Sequence, residues 1–281
     1  MIATVKGLKM LVMINLLMNK ENDLYLVMLD FNGTLTKGSD PLNKNTISFL
    51  LEMVKDPRII IAIVSSYPYG EIRGRLCQAN KDLDPRKYGN FYICDENGGR
   101  ILNQERGVSN ILEEYPHLLE EAFELCNKID SKLEEKYGSR PYQWEFKQFT
   151  VGLVITYRPL LGKEELKDEV KGIVDECTDD RWEVVLYGSG TIDIFRKEPA
   201  GKPWALDKLL QFHPEVRKVI VIGDGYNDLL LLEHAAKKGF TIGCPANAIN
   251  EVKVLVGKYG GILATEKYGD GVVEILTKLL Y

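Results

Sequence analysis

The stretch LYLVMLDFNGTLT at residues 24–36 decides the fold. Its first six residues form an almost uninterrupted apolar run, which is typical of a strand buried on both faces of a parallel sheet. The run ends at Asp30, and Gly33 and Thr34 follow in a sequence that favours a tight turn. Open parallel sheets bind ligands beyond the carboxyl ends of their strands. The carboxylate of Asp30 is therefore predicted to lie where such a sheet binds a ligand.

Short apolar runs alternate with amphipathic stretches around this segment. Further buried strands are predicted at 59–64, 91–94 and 219–222, with helices at 43–55, 70–79, 203–210 and 227–236. This alternation favours an α/β protein with a central parallel sheet.

The pattern changes at about residue 104 and resumes at Lys202. Between these points, a helix at 113–137, a strand at 148–157, a helix at 163–177 and a strand pair at 182–187 and 191–195 predict a separate α+β unit. We therefore expect a core domain formed by 23–103 and 196–281, an inserted cap domain at 104–195, and an N-terminal extension at 1–22.

The composition of the 281 residues excludes several classes of protein. The hydrophobic fraction is 45%, the charged fraction is 27% and the net charge is −5, as in an ordinary globular protein. A nucleic-acid-binding protein is expected to carry a basic stripe, and the sequence has none. The five cysteines are scattered and form no C-x-x-C pair, which predicts reduced thiols in the cytoplasm rather than disulfides or a zinc site.

The apolar segment at 8–18 mimics part of a signal peptide. No small-residue cleavage site follows it. The segment is also shorter than the about 20 apolar residues that a membrane span needs. We therefore expect no membrane association, and we interpret the segment as an appended helix or edge strand, or as sequence upstream of a start near Met18.

A second acidic turn follows the apolar run at 219–222. It reads Gly223-Asp224-Gly225-Tyr226-Asn227-Asp228. Either acidic turn alone is more often an ordinary turn than a catalytic site. Both follow apolar strands, however, so three carboxylates (Asp30, Asp224 and Asp228) are expected to converge, and oxygen ligands of this kind suit Mg²⁺.

These motifs together resemble the haloacid dehalogenase superfamily of phosphotransferases. The first family motif, Asp-x-Asp-Gly-Thr, matches 30–34 except at Asn32, and the second, an apolar strand ending in Ser or Thr, matches 59–65. The third, a Lys that begins a helix after the cap, matches Lys202, and the fourth, Gly-Asp-x-x-Asn-Asp, matches 223–228 in full. The stretch 96–99 (ENGG) and the position of the insertion are similar to the subgroup with an α/β cap between the second and third motifs, subfamily IIB.

The resemblance implies a doubly wound, Rossmann-like parallel-sheet core with an inserted α+β cap. Within the subgroup, the trehalose-phosphate phosphatases look most similar, through the segment 64–67 and a loose likeness in the cap. Phosphomannomutases, mannosyl-phosphoglycerate phosphatases and broad sugar-phosphate phosphatases share the same layout. The resemblance implies that substrate choice lies in the cap, where Glu145, Lys147 and Arg158 are candidate substrate-binding residues and Trp144 offers an aromatic ring.

The resemblance also implies the roles of the motif residues. Asp30 is the expected nucleophile, which forms an aspartyl-phosphate intermediate, and Lys202 is expected to supply positive charge. The expected ligands of Mg²⁺ are Asp30, the backbone carbonyl of Asn32, Asp224 and Asp228. The expected phosphate-binding residues are Ser65, Ser66, Lys202 and Asn227.

Asn32 departs from the family pattern at a catalytic position. In similar enzymes an Asp here protonates the leaving group and then activates water, and an amide does neither. The loss of general acid–base help costs about 10²–10⁴ in rate. Two interpretations stay open: an Asp was replaced to trap a substrate complex, or the natural protein is a slow or purely binding relative.

Three functional hypotheses follow. The first is an Mg²⁺-dependent phosphomonoester hydrolase for a small sugar phosphate, with trehalose 6-phosphate as one candidate and with activity impaired by Asn32. The second is a catalytically silent protein that binds a sugar phosphate. A phosphomutase is a weaker third, because mutases also need the second Asp.

Overall fold

The computed structural model describes residues 23–138, 142–146, 151–155, 163–186, 191–197 and 201–280. Residues 1–22, the predicted N-terminal extension, lie outside the described residues.

The strands of the larger sheet are β1 Tyr25–Asp30, β2 Ile59–Val64, β3 Phe91–Asp95, β4 Arg100–Asn103, β5 Gly107–Asn110, β10 Lys218–Ile222, β11 Thr241–Cys244 and β12 Ile262–Leu263. The strands of the smaller sheet are β6 Tyr142–Phe146, β7 Val151–Ile155, β8 Trp182–Leu186 and β9 Thr191–Arg196. The helices are α1 Lys44–Met53, α2 Tyr69–Ala79, α3 Ile111–Glu114, α4 His117–Tyr137, α5 Lys163–Cys177, α6 Gly201–Phe212, α7 Leu229–Lys237, α8 Asn250–Lys258 and α9 Tyr268–Leu280.

The larger sheet has the order β12-β11-β10-β1-β2-β3-β4-β5, and it is parallel from β12 to β3. The chain moves from β1 through β2 to β3 on one side and later returns to β10 on the other side of β1. The sheet order therefore reverses beside β1, and such a switch point opens a crevice at the carboxyl ends of the strands. Asp30, the last residue of β1, lies at that crevice.

Both faces of the larger sheet are covered. Leu26 and Met28 pack into one apolar cluster, whereas Val27 and Leu29 pack into the other. This alternation follows from the two-residue period of a strand, and it explains why β1 is almost entirely apolar before Asp30 and why β2 is apolar throughout. The predicted doubly wound α/β fold is confirmed.

The smaller sheet is antiparallel, with the order β6-β7-β9-β8. Helices α4 and α5 form one apolar cluster together with this sheet, and the cluster includes Ile129, Val170 and Ile194. An α+β unit is therefore inserted between β5 and α6, as the change of pattern predicts.

The larger sheet extends past the predicted boundary at residue 104. Strand β5 pairs antiparallel with β4, so the chain stays with the core at least to Asn110. We therefore propose that the cap begins after β5. Within the described ranges, each helix is too short or too polar to span a membrane.

Candidate active site

The turn after β1 is held by backbone hydrogen bonds. The amides of Leu35 and Thr36 donate to the carbonyl of Phe31 at 3.0 and 3.1 Å. The side-chain amide of Asn247 donates to the carbonyl of Gly33 at 2.7 Å, from a segment more than two hundred residues away. These bonds fix the turn that directly follows Asp30, a residue that is 3% exposed.

Gly33 is required by both its conformation and its neighbour. Its φ is +88°, in the region that favours glycine, and a Cβ built on it would lie 2.2 Å from Oδ2 of Asp224. The first and fourth motifs can approach each other only because this position has no side chain.

We predict that Gly33→Ala lowers the free energy of unfolding by clearly more than Gly38→Ala. Gly38 also has a positive φ of +53°, but a Cβ there would have no atom within 4 Å. In the control, the free energy of unfolding should fall only by the about 1–2 kcal/mol that a left-handed backbone costs a residue with a side chain. Gly33→Ala must also displace Asp224. Urea unfolding of both variants measures the difference, and equal losses would contradict the close approach.

Three carboxylates and one ammonium meet where β1 and β10 end. One oxygen from each of Asp30, Asp224 and Asp228 lies within 4.8 Å of the others. Nζ of Lys202, in the first turn of α6, donates to Oδ1 of Asp30 at 2.7 Å and to Oδ1 of Asp228 at 2.6 Å. Lys202 is 2% exposed. The structure thus brings together the residues predicted from the first, third and fourth motifs.

Asp228 also organises the turn that carries Asp224. Its Oδ2 accepts from the backbone amides of Asp224 and Gly225, both at 2.9 Å. The hydroxyl of Thr34 donates to Oδ1 of Asp224 at 2.8 Å. Asp228 is fully buried. The backbone of the turn is therefore held by Asp228, and the carboxylate of Asp224 is held by Thr34.

The electrostatics of these four side chains favour a cation. Burial, and then the charge of Asp228, raises the pKa of Asp30 to about 7, although Lys202 opposes the rise. Burial and the charges of Asp30 and Asp228 raise the pKa of Asp224 to about 8, against the hydrogen bond from Thr34. Burial disfavours the Lys202 ammonium, but the two carboxylates outweigh it and hold its pKa above the usual value. One ammonium does not neutralise three carboxylates, and the all-oxygen donor set fits Mg²⁺.

Ser65 and Ser66 lie at the same edge of the sheet. Val64 is the register partner of Asp30, so the serines follow directly beyond the end of β2. Ser65 is buried, and its hydroxyl oxygen accepts from the amide of Tyr67 at 3.2 Å. Asn227 lies in the turn of the fourth motif and is half-buried. The hydrogen bond described for Ser65 joins it to Tyr67 rather than to Asp30, so the phosphate-binding role of Ser65, Ser66 and Asn227 stays a prediction.

The segment 96–99 lies against both Ser65 and the Lys202 helix. The backbone amide of Asn97 donates to the carbonyl of Ser65 at 2.7 Å. Asn97 has a φ of 59°, and a Cβ built on Gly98 would lie 2.9 Å from the carbonyl of Gly201. This left-handed turn therefore lets the start of α6 pack closely, which positions Lys202 for Asp30.

Arg75 is a site residue that the sequence did not reveal. Its Nη1 donates to Oδ1 of Asn32 at 2.9 Å, across 43 positions of sequence. Its Nη2 donates to the hydroxyl of Thr36 at 3.1 Å and to the carbonyls of Gly38 and Asp40 at 2.6 and 3.0 Å. No local signal indicates this role, because it depends on how α2 docks beside β1.

The cap residues are only partly described. Lys147 and Arg158 lie outside the described residues, and Glu145 is placed on β6 without a described side chain. The indole nitrogen of Trp144 donates to Oδ1 of Asp130 at 2.8 Å, and its ring packs against the cap cluster. Trp144 is therefore partly buried against the cap cluster, and a stacking role for its ring stays a prediction.

Comparison with known proteins identifies the family. A family model described as haloacid dehalogenase-like hydrolase matches residues 124–276. A comparison with curated proteins gives no match.

Solved structures share the fold. Sucrose-phosphatase from Synechocystis sp. PCC6803, solved with sucrose and phosphate, is 17% identical, with a TM-score of 0.64 over 91% of this chain and 98% of its own. A haloacid dehalogenase-like hydrolase from Bacteroides thetaiotaomicron is 19% identical, with a TM-score of 0.59 over 92% and 100%. Trehalose-6-phosphate phosphatase from Aspergillus fumigatus is 16% identical, with a TM-score of 0.50 over 84% and 91%.

The resemblance predicted from the four motifs is therefore confirmed. The family match covers more than half of the sequence, and the sheet order, the inserted cap and the clustered motif residues agree with it. This chain belongs to the haloacid dehalogenase-like hydrolases.

Proposed function

We propose that the protein is an Mg²⁺-dependent phosphomonoester hydrolase that acts on a small sugar phosphate through an aspartyl-phosphate intermediate. The observation that carries this proposal is the buried cluster in which Lys202 joins Asp30 and Asp228 beside Asp224. A carboxylate at the end of a strand, next to a fixed positive charge, is suited to attack an anionic phosphate.

The residues that would hold Mg²⁺ are Asp30, Asp224 and the backbone carbonyl of Asn32. When bound, Mg²⁺ supplies charge neutralisation and a template for the phosphate. Asp228 is also a candidate ligand, but both of its oxygens already accept hydrogen bonds, from Lys202 and from two backbone amides. We therefore assign Asp228 chiefly to orienting Lys202 and the turn of Asp224.

The other proposed roles belong to side chains of the protein itself. Asp30 forms the bond to phosphorus, and Lys202 offsets the charge of both Asp30 and the phosphate. Ser65 and Ser66 are proposed to donate hydrogen bonds to phosphate oxygens, with Asn227 as a further donor. Burial of Asp30 and Lys202 strengthens these interactions, because little water screens them.

Asn32 is proposed to impair turnover. Its amide has no proton to transfer at neutral pH, so neither protonation of the leaving oxygen nor activation of water is assisted. The alternative function is a catalytically silent protein that binds a sugar phosphate. Release of phosphate from an activated aryl phosphate separates the two, since only an enzyme produces it.

The substrate class is proposed from the fold and from the cap position. Solved structures with the same fold include a sucrose-phosphatase with sucrose and phosphate and a trehalose-6-phosphate phosphatase. For this chain we propose a phosphorylated sugar, with trehalose 6-phosphate as one candidate and with Glu145, Lys147 and Arg158 as the residues that would contact it. The free cysteines are compatible with the cytoplasm, where we propose that the protein acts.

We predict that a chelator abolishes phosphate release and that Mg²⁺ restores it, because three carboxylates otherwise repel a phosphate dianion. Mg²⁺ at about a hundred times its Kd should also stabilise the fold by about 2.7 kcal/mol, which thermal unfolding detects without any turnover. Asp224→Asn should lose this stabilisation. The matched control is Asp207→Asn, whose carboxylate pairs with His234 and Lys238 away from the site and should leave the stabilisation unchanged. If neither the rate of phosphate release nor the thermal stability changes with chelator or with Mg²⁺, the proposed metal dependence is wrong.

A further inference from the structure

The contact of Arg75 determines which end of the Asn32 amide is available. A guanidinium has only hydrogen-bond donors, so the atom of Asn32 that lies 2.9 Å from Nη1 is the carbonyl oxygen. The NH₂ group is the other end of the amide and therefore points away from Arg75. A group that donates a hydrogen bond, but cannot give up a proton, is thus held two residues after the nucleophile.

Arg75 is itself held firmly. The rest of its guanidinium is engaged by Thr36 and by the carbonyls of Gly38 and Asp40, and its central carbon lies 4.8 Å from the centre of the Phe31 ring. Reorientation of the Asn32 amide would leave Nη1 without this acceptor. The geometry therefore opposes any exchange of the two ends of the amide during turnover.

This arrangement has a chemical consequence for the first step. An oxygen of Asp30 forms a bond to phosphorus while the bond from phosphorus to the leaving oxygen breaks, and the leaving oxygen keeps the electron pair. A phenolate, a carboxylate or a phosphate is stable in water as that anion, whereas a sugar alkoxide needs a proton. The NH₂ group can stabilise the departing anion by a hydrogen bond, but it cannot neutralise it.

The second step meets the same restriction. Water attacks phosphorus, the oxygen of Asp30 recovers its electron pair, and the proton of the water passes to solvent because the amide at position 32 accepts none. Hydrolysis of phosphorylated Asp30 is then slower than its formation from a donor with a good leaving group.

We propose that Arg75 is a positioning residue that fixes the Asn32 amide, and that the chain consequently prefers phosphoryl donors with acidic leaving groups and accumulates phosphorylated Asp30. Aryl phosphates, acyl phosphates and phosphoanhydrides are therefore expected to transfer their phosphoryl group faster than the alkyl sugar phosphates of the proposed function, whose turnover Asn32 impairs. This inference rests on the proposed function, since it requires Asp30 to be the nucleophile.

Rapid-quench kinetics with Mg²⁺ test the substrate class. With para-nitrophenyl phosphate we expect a burst of product close to one equivalent per active site, followed by slow turnover. The first step should be at least about 10²-fold faster than with glucose 6-phosphate, the alkyl donor. In Asn32→Asp the burst should disappear, and the ratio of the first-step rate with the aryl donor to that with the alkyl donor should fall by tenfold or more. Comparing this ratio between the two proteins cancels any difference in how the site recognises the two donors.

A double-mutant cycle tests the role of Arg75. Arg75→Met should lower the burst rate by about 10–10²-fold through kcat rather than KM, because a misplaced group costs rate of this order. In the Asn32→Ala background the same change should have an effect below about twofold. The matched control is Arg73→Met on the same helix, whose guanidinium pairs with Asp84, and it should leave the burst rate unchanged.

The outcomes separate the two proposals. Comparable first-step rates for the aryl and alkyl donors, without a burst, would overturn this inference and leave the phosphatase proposal standing. Equal effects of Arg75→Met in both backgrounds would overturn the positioning role. The absence of phosphoryl transfer from every donor, including acetyl phosphate, would overturn the proposed function and this inference with it.

Discussion

Asp30→Asn should reduce phosphate release by at least about 10⁴-fold, the scale on which removal of a nucleophile acts. The amide has nearly the same shape as the carboxylate, so the strand end keeps its packing, but it cannot attack phosphorus as an anion. Loss of one of three crowded carboxylates also relieves the repulsion that raises the pKa of Asp224. The fold should therefore remain intact.

Phosphate release from para-nitrophenyl phosphate measures the loss, and thermal unfolding confirms that the variant is folded. The matched control is Asp56→Asn, the same change at a residue that pairs with Arg58 just before β2, at the opposite edge of the sheet. This control should keep its activity. Turnover that persists in Asp30→Asn would remove Asp30 as the nucleophile.

Asn32→Asp should raise phosphate release from alkyl sugar phosphates by at least about 10²-fold, the lower end of what a positioned acid–base group supplies. Arg75 holds the present carbonyl oxygen, so the substitution places the new oxygen where the NH₂ group now lies. That oxygen can exchange a proton with the leaving group and later with water. Nothing needs to repack, because the two side chains have the same shape.

Steady-state release of phosphate from a panel of sugar phosphates, at matched Mg²⁺, tests this expectation. The control is Asn127→Asp, which adds the same charge at an exposed position of α4. It should leave the rates unchanged. If Asn32→Asp and the parent protein agree within a few-fold on every substrate, the lost acid–base group is not the cause of slow turnover, and the silent binding protein becomes the better explanation.

The sequence predicts the larger elements well where burial decides the pattern. The strand at 59–64 agrees with β2 residue for residue, because a strand covered on both faces is apolar throughout. The hairpin of β4 and β5 was missed. Its strands are only four residues long, RILN and GVSN, and neither carries an apolar run or a clear alternation. Helix α7 starts at Leu229 rather than at Asn227, because the carboxylate of Asp228 fixes the preceding turn through backbone amides.

Some residues of the candidate site could also be predicted from the sequence, whereas others could not. The convergence of Asp30, Asp224 and Asp228 could be predicted, since the turns that carry them follow strands whose carboxyl ends lie at one edge of the sheet. The place of Lys202 beside them was implied only by the resemblance to the family. The pairing of Arg75 with Asn32 could not, because it depends on the angle at which α2 packs and on a long side chain with many rotamers. The motif at 96–99 is visible in the sequence, but no local pattern predicts that its turn contacts Ser65 and the start of α6.

The most direct test of the central claim is to identify the residue that becomes phosphorylated. The protein is mixed with para-nitrophenyl phosphate and Mg²⁺, quenched in acid during turnover, digested and analysed by mass spectrometry. We predict one phosphoryl group on Asp30, absent from Asp30→Asn and released by hydroxylamine, as expected for an acyl phosphate. Continued release of phosphate while Asp30 stays unmodified, or a phosphoryl group on Ser65 instead, would contradict phosphoryl transfer through Asp30.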